Sequence, residues 1–202
     1  MEFLTSLTGM MSFTGVTYLA FLTLAIFVFF LLPGAKTRCV WLLGVSSFFF
    51  MLYSPKYFWV IALVTVLAYG IGRVLDATKN KSRGFRKTIL IIGIIITAAA
   101  LIITKYSDFS ITTLNRIVGL LGSSLQLPLL KFVMPIGISF WTFQTIAYIA
   151  DVYLGKTKAE KNLLYFSASV IFFPIVTMGP ITRVQDLVPQ LSRKYTFNYE
   201  RM

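Results

Sequence analysis

The sequence predicts an all-helical polytopic membrane protein, with five or six transmembrane or re-entrant helices and one interfacial amphipathic helix. Two observations lead to this prediction. Of the 202 residues, 57% are hydrophobic and only 13% are charged, against roughly 25% charged residues in ordinary soluble domains. The apolar residues also form long runs, and a helix of about 20 such residues spans a bilayer. The composition therefore excludes a soluble globular domain.

Six apolar segments follow one another, at about 15–32, 39–53, 57–75, 88–104, 134–153 and 163–182. Pro33 and Gly34 end the first segment, because proline cannot continue a helix and glycine tolerates the exit turn. Ser54 and Pro55 end the second. No composition shift marks a soluble domain, so we treat residues 1–202 as a single membrane region.

A different pattern lies between the fourth and fifth segments, at about 111–131. Its apolar residues recur at helical spacing, with polar residues on another face, and glycine and serine interrupt it. The apolar set is Leu114, Ile117, Val118, Leu121 and Leu125, and Gly122-Ser123-Ser124 is the main interruption. This pattern favours a short amphipathic helix lying in the membrane interface.

The basic residues predict the orientation. The first one is Lys36, so the N-terminus lacks the basic region of a signal peptide and we expect the first segment to remain as a membrane helix. More than half of the basic residues lie in the loops after the first, third and fifth segments: Lys36, Arg38, Arg73, Lys79, Lys81, Arg83, Arg86, Lys87, Lys156, Lys158 and Lys161. The positive-inside rule then places these loops in the cytoplasm and the N-terminus outside.

The C-terminal basic residues conflict with six simple crossings. Arg183, Arg193, Lys194 and Arg201 would lie outside, against the rule. Pro174 and Gly179-Pro180 can break the sixth segment, since proline inside a helix removes a hydrogen bond and kinks it. Our hypothesis is that this segment is broken or re-entrant and that the tail returns to the cytoplasmic side.

Polar residues follow one face of the fifth segment. The spacing of Trp141, Gln144, Tyr148 and Asp151 places them together on a helix. A carboxylate and an amide are costly against lipid unless they are paired or hydrated. One interpretation is the polar wall of a substrate tunnel. In the other, Gln144 bonds a neighbouring helix and Asp151 lies at the interface, paired with Lys156 or Lys158.

The residue composition and the absence of known motifs exclude several catalytic mechanisms. There is no histidine, and one cysteine, Cys39, cannot form an internal disulfide. We therefore predict no metal site and no bound cofactor. The motifs of serine hydrolases, P-loop enzymes, zinc proteases and dinucleotide-binding enzymes are absent.

The aromatic residues lie within spans, which argues against a nucleic-acid partner. Small residues such as Gly44, Gly70 and Gly72 are interpreted as helix-packing positions.

From Met134 onward the chain closely resembles the bacterial branch of the membrane-bound O-acyltransferase family that includes alginate O-acetyltransferases, and the resemblance covers most of the chain. The similar pieces are PIGISFWTFQ at 135–144, YIADVY at 148–153, FFP at 172–174 and GPITR at 179–183, with SSFFFMLYSPKYFW at 46–59 and KYSDF at 105–109 upstream. The resemblance implies many helices around a central tunnel, with the catalytic histidine downstream of the GPITR-like element. That histidine is absent here, so we assign no catalytic residue.

The resemblance also implies the tunnel-lining residues, the donor and the acceptor. Polar residues of the matching motifs are expected to line the tunnel or contact substrate: Ser139, Trp141, Thr142, Gln144, Tyr148, Asp151 and Arg183. Arg183 is the best candidate for an anionic contact, whether a CoA phosphate, a headgroup or an internal carboxylate; the other interpretation is an interfacial anchor. The donor would be acetyl-CoA or an acyl carrier, and the acceptor a cell-surface polysaccharide.

These features predict the N-terminal portion of an O-acyltransferase in a bacterial plasma membrane. We expect the chain alone to be inactive, because the base that would activate the acceptor hydroxyl is missing. Either the sequence is truncated or a separate chain carries the catalytic half. The alternative is a non-enzymatic membrane scaffold or a transporter-like protein.

Overall fold

In a computed structural model, the described residues are 15–120, 127–130, 136–178 and 182–193, and within these ranges the structure is helical and has no strand. The predicted all-helical class is confirmed there. The helices are α1 (Val16–Leu31), α2 (Ala35–Tyr53), α3 (Phe58–Ala77), α4 (Arg83–Leu101), α5 (Ser107–Leu120), α6 (Ile138–Tyr153), α7 (Leu163–Val170), α8 (Phe173–Met178) and α9 (Val184–Ser192).

Three stretches of the described chain are long and apolar enough to cross a membrane: Ala35–Tyr53, Pro55–Ala77 and Arg83–Leu120. The chain turns between α1 and α2 at Gly34, whose φ of +78° is a conformation that glycine adopts without steric cost. After α2, a 3-10 turn at Pro55–Tyr57 leads directly into α3. The proline therefore separates two helices, as the sequence indicated.

The fourth apolar segment runs on as one continuous helix of 38 residues, from Arg83 to Leu120, which is about 57 Å long. A π-helical segment, Ile102–Tyr106, joins α4 to α5. This corrects the prediction of a separate short helix at 111–131. No proline or glycine occurs between residues 94 and 118, so nothing stops the helix at residue 104. Residues 121–126 and 131 of that prediction lie outside the described residues.

An asparagine holds the returning chain against α5. The side chain of Asn115 donates to the carbonyl of Leu127 at 2.9 Å and accepts from the amide of the same residue at 2.8 Å. Asp108 Oδ1 accepts from the amide of Leu130 at 2.9 Å. The polar face of α5 therefore binds the backbone of residues 127–130 in place of a neighbouring helix.

Helix α6 lies at the centre of the packing, chiefly against α3 and α4. The approach to α3 is close at Gly72, where a β-carbon would lie 2.6 Å from Cε1 of Tyr148. At Gly93 of α4, a β-carbon would lie 2.9 Å from Cγ2 of Ile71. No atom lies within 4 Å of a β-carbon built at Gly44 or Gly70. The predicted packing role therefore applies to Gly72 and not to those two glycines.

The sixth apolar segment is broken. Helix α7 has only 8 residues, about 12 Å, against a hydrocarbon core of about 30 Å. The break falls at Ile171 and Phe172, and Pro174 occupies the first turn of α8, where its missing amide costs no helical bond. The amide of Phe173 donates instead to Ser46 Oγ of α2 at 3.3 Å. Residues 179–181 and 194–202 lie outside the described residues.

Both ends of the broken segment lie at the same end of the helix bundle. Immediately before α7, the carbonyl of Lys161 accepts from the Tyr69 hydroxyl at 2.7 Å. Immediately before α9, Arg183 lies 3.7 Å from Asp151 near the end of α6. Arg86 of α4 reaches the same place and donates to the carbonyl of Tyr153 at 2.8 Å. The chain therefore leaves this end through α7 and returns to it before α9.

Candidate functional site

The predicted polar face of α6 is turned inward. Trp141, Gln144, Tyr148 and Asp151 are 1%, 1%, 2% and 6% exposed, whereas Phe143, on another side of the helix, is 51% exposed. The helix thus buries its polar face among its neighbours and presents apolar side chains to the outside. This agrees with the expectation that the carboxylate and the amide do not face lipid.

The middle of this face has unused hydrogen-bonding capacity. Gln144 Nε2 donates to the carbonyl of Ser169 in α7 at 3.3 Å. Gln144 Oε1, Trp141 Nε1 and Thr142 Oγ1 are buried and have no hydrogen-bond partner within the described part of the chain. Buried polar groups are nearly always paired, so this stretch of α6 is suited to bind a polar group that the described residues do not provide.

Tyr148 connects the face to the loop that follows α6. Its hydroxyl oxygen accepts a hydrogen bond from the amide of Glu160 at 3.1 Å. Its ring packs against Phe166 of α7, with ring centroids 4.7 Å apart. Because the ring also lies against Gly72, one side chain contacts α3, α7 and the loop at residues 154–162.

Asp151 pairs with residues before and within α9. Its Oδ2 accepts from Gln185 Nε2 at 2.8 Å and lies 3.7 Å from Arg183 Nη1. The Asp151 side chain is 9% exposed and that of Arg183 is 56% exposed, so the carboxylate is buried while the guanidinium reaches outward. The predicted pairing of Asp151 with Lys156 or Lys158 is therefore replaced by a contact with Arg183.

Arg183 is the N-cap residue of α9. Three alternative anionic partners were predicted for Arg183, and the structure contains one of them, the internal carboxylate of Asp151. A small pocket of about 150 Å³ with a mixed polar and apolar lining lies beside this contact, between α9 and residues 157–160, and its lining includes Tyr148, Lys158, Glu160 and Gln185. This end of α6 therefore combines a buried carboxylate, a half-exposed arginine and a cavity with charged side chains.

The remaining predicted residues lie at the other end of the helix. Ser139 is half-buried in the first turn of α6, about 18 Å along the axis from Asp151. Thr142 is fully buried. The structure thus divides the predicted set into a group at 139–144 and a group made by Tyr148, Asp151 and Arg183. Among the described residues, no group of three or more metal-ligating side chains occurs.

Three contributing residues were missed from the sequence. Gln185 donates to Asp151, the amide of Glu160 binds Tyr148, and the carbonyl of Ser169 binds Gln144. Two of these contacts use backbone atoms, which no residue type reveals. Gln185 lies two positions after Arg183 in the GPITR element, so its proximity to that arginine was the one available sign.

Curated proteins similar to this chain are bacterial O-acetylating enzymes. The chain is 36% identical over 175 residues to a protein of Pseudomonas aeruginosa named "Probable alginate O-acetylase", covering 86% of this chain and 33% of that protein. A protein of the same name from Azotobacter vinelandii is 34% identical over 174 residues, covering 86% and 34%. The "Peptidoglycan O-acetyltransferase" of Helicobacter pylori is 28% identical over 179 residues, covering 77% and 33%.

The chain therefore spans about a third of the length of the curated relatives it matches. No family model matches the sequence. No solved structure matches it either.

Proposed function

We propose that the chain belongs to the alginate O-acetylase branch of the membrane-bound O-acyltransferases and forms part of an enzyme that transfers acetyl groups to hydroxyls of a cell-surface polysaccharide. The similarity to the two alginate O-acetylases over 86% of the chain is the observation that supports this proposal most strongly. The relatives named for alginate and for peptidoglycan both point to a carbohydrate acceptor.

The reaction needs a general base, and these 202 residues lack the usual one. In acyl transfer from a thioester, a general base takes the proton of the acceptor hydroxyl while its oxygen attacks the thioester carbonyl, and the thiolate leaves. Histidine is the usual base, and the sequence has none. We propose that a histidine outside these residues, in the same or a separate chain, does this work. The donor would be acetyl-CoA or an acyl carrier.

This chain would then provide the wall of the reaction chamber. The buried atoms Gln144 Oε1, Trp141 Nε1 and Thr142 Oγ1 lack partners among the described residues, and a bound donor or acceptor offers both donors and acceptors of hydrogen bonds. Trp141 Nε1 donates, Gln144 Oε1 accepts, and the Thr142 hydroxyl can do both. They would position a substrate group along α6, while Asp151 and Arg183 hold the element before α9 in place.

We also propose a location in the bacterial plasma membrane, with the N-terminus outside. The end of the bundle that contains Arg86, Lys158 and Arg183 would face the cytoplasm. This fits the positive-inside rule, because the returning course of α7 and α8 places Arg183 beside the basic loop at 156–161 rather than on the opposite side.

A genetic experiment tests the function. Deletion of the complete gene that encodes these residues is expected to remove the alkali-labile acetate of the extracellular polysaccharide or of peptidoglycan, and the restored gene returns it. A gene copy ending at codon 202 separates the two locations of the histidine: it fails if the histidine lies further along the same chain and succeeds if a separate chain carries it. Unchanged acetate in the deletion strain would overturn the proposal and favour the alternative of a non-enzymatic scaffold.

A further inference from the structure

Helix α4 has a row of exposed side chains that changes from basic to apolar. Arg83, Lys87, Ile91 and Ile95 follow one another at intervals of four residues, a spacing that forms a continuous ridge on a helix surface. All four are exposed, Ile91 and Ile95 by 45% and 61%. Four residues of helix advance about 6 Å, so the apolar part begins directly beyond the two basic side chains. We call these four residues the α4 row.

The two basic side chains of the α4 row have no carboxylate partner. Neither Arg83 nor Lys87 takes part in an ion pair within the described part of the chain. No acidic residue occurs between positions 77 and 107. Arg86 lies between them in the sequence but is held against α6, where its Nη2 donates to the carbonyl of Tyr153 at 2.8 Å. The charges of Arg83 and Lys87 therefore remain available to an anion outside the protein.

The surrounding end of the bundle carries more positive than negative charge. Asp76 pairs with Lys79 at 2.7 Å, and Asp151 lies 3.7 Å from Arg183. Glu160 Oε1 accepts from the amide of the next residue at 2.8 Å. The basic residues at this end outnumber the acidic ones: Arg73, Lys79, Lys81, Arg83, Arg86, Lys87, Lys156, Lys158, Lys161 and Arg183 against Asp76, Asp151, Glu160 and Asp186. An anion that approaches the α4 row therefore meets a net positive potential.

The apolar half of the α4 row indicates which kind of anion fits. Helix α4 belongs to a stretch that is long and apolar enough to cross a membrane, so Ile91 and Ile95 lie in hydrocarbon when Arg83 and Lys87 lie among the headgroups. Basic residues next to membrane helices attract anionic headgroups. A soluble phosphate compound would contact only the basic half of the row, whereas a phospholipid matches both halves.

We propose that the α4 row binds an anionic glycerophospholipid of the leaflet at this end of the bundle. The phosphate lies beside Arg83 and Lys87, and one acyl chain lies along Ile91 and Ile95. The bound lipid neutralises charge that no carboxylate balances. It also covers apolar side chains that the described part of the chain leaves exposed. The proposal is independent of acetyl transfer.

Native mass spectrometry of the full-length protein in detergent tests this proposal. The probes are palmitoyl-oleoyl phosphatidylglycerol and the phosphatidylcholine with the same chains, which differ only in the headgroup. We expect retention of phosphatidylglycerol at concentrations where phosphatidylcholine is lost. Glycerol 3-phosphate, which has the phosphate group but no acyl chain, should not displace the lipid at an equal concentration.

A charge-reversed variant tests the site itself. Arg83→Glu combined with Lys87→Glu should weaken phosphatidylglycerol retention by about tenfold or more. The matched control combines Lys56→Glu with Lys105→Glu, which changes the net charge equally at exposed residues of the opposite end. Lys105 is about 27 Å along the helix from Lys87, and the control should retain the lipid as the unchanged protein does. Elution of each variant as a single species checks that it folds.

Three results would overturn the proposal. The first is equal retention of the two lipids, or retention of neither. The second is displacement of the lipid by glycerol 3-phosphate, which would indicate a site for a soluble phosphate compound. The third is an equal effect of the two charge-reversed variants, which would show that only the net charge of the protein matters.

Discussion

The ring of Tyr148 lies against the backbone of Gly72, so that a β-carbon on the glycine would be 2.6 Å from Cε1 and 2.7 Å from the hydroxyl oxygen. Both residues are buried. The same hydroxyl accepts from the amide of Glu160, so the ring is held from both sides. This contact fixes the distance between α3 and α6 at the level of the candidate site.

We expect Gly72→Ala to destabilise the protein by about 1–3 kcal/mol, the usual cost of forcing extra volume into a packed interior. Thermal unfolding in detergent measures the difference. Gly70→Ala is the matched control on the same helix, because no atom lies within 4 Å of its β-carbon. There alanine should be neutral or stabilising by up to about 1 kcal/mol. Equal effects of the two substitutions would contradict the packing at Gly72.

The paired hydrogen bonds of Asn115 predict a graded response. Asn115→Ala removes both bonds to Leu127, whereas Asn115→Asp removes only the donor to the carbonyl. We expect hydrogen exchange of the Leu127 amide to become roughly tenfold faster in the alanine variant, which corresponds to about 1.4 kcal/mol, and less so in the aspartate variant. Thr113→Ala, on the same helix at a hydroxyl that donates to the carbonyl of Phe109, serves as the control. Similar exchange in all four proteins would argue against the clamp.

The contact between Asp151 and Arg183 predicts that charge reversal loosens α9. Arg183→Glu places a second carboxylate beside the buried one, and Val188, which is 9% exposed, should open to solvent. The measurement is the rate at which a maleimide labels a cysteine introduced by Val188→Cys, in a Cys39→Ser background. We expect Arg183→Glu to make this labelling roughly two- to fivefold faster, because an ion pair of this kind is worth about 1 kcal/mol or less. Arg193→Glu, also exposed but at the far end of α9, should leave the rate unchanged. If Arg183→Glu left the labelling rate unchanged, the contact between Asp151 and Arg183 would not hold α9 in place.

The course of α7 and α8 predicts the sidedness of the chain. Cysteines introduced by Arg193→Cys and by Lys81→Cys should both react with a membrane-impermeant maleimide from the cytoplasmic side. Intact and inverted membrane vesicles provide the measurement, with a permeant maleimide as the control for reactivity. If Arg193→Cys reacted only from the outside, the tail would not return to the cytoplasmic side.

The sequence predicted the helical class and the inward face of α6 because both depend on local patterns. Long runs without charged residues indicate the helical membrane class, and the spacing from Trp141 to Asp151 indicates the inward face of α6. It did not predict the partner of Asp151, since Lys156 and Lys158 are nearer along the chain than Arg183. Only the return of the chain after the break at Ile171 brings that arginine close, and tertiary packing decides this break. The continuation of the helix to Leu120 was missed because the polar residues of α5 were interpreted as the polar face of a separate interfacial helix. In the structure these residues bind the backbone of residues 127–130.

Acetyl transfer in isolated membranes tests the central claim most directly. Membranes containing the 202-residue chain alone, and membranes of the native strain, which contain every chain of the proposed enzyme, are supplied with labelled acetyl-CoA and an unacetylated polysaccharide. Label on the polysaccharide is then counted. The account predicts transfer by the membranes of the native strain and none above background by the 202 residues alone, because the proposed base lies outside them. Transfer by the 202-residue chain alone would contradict it.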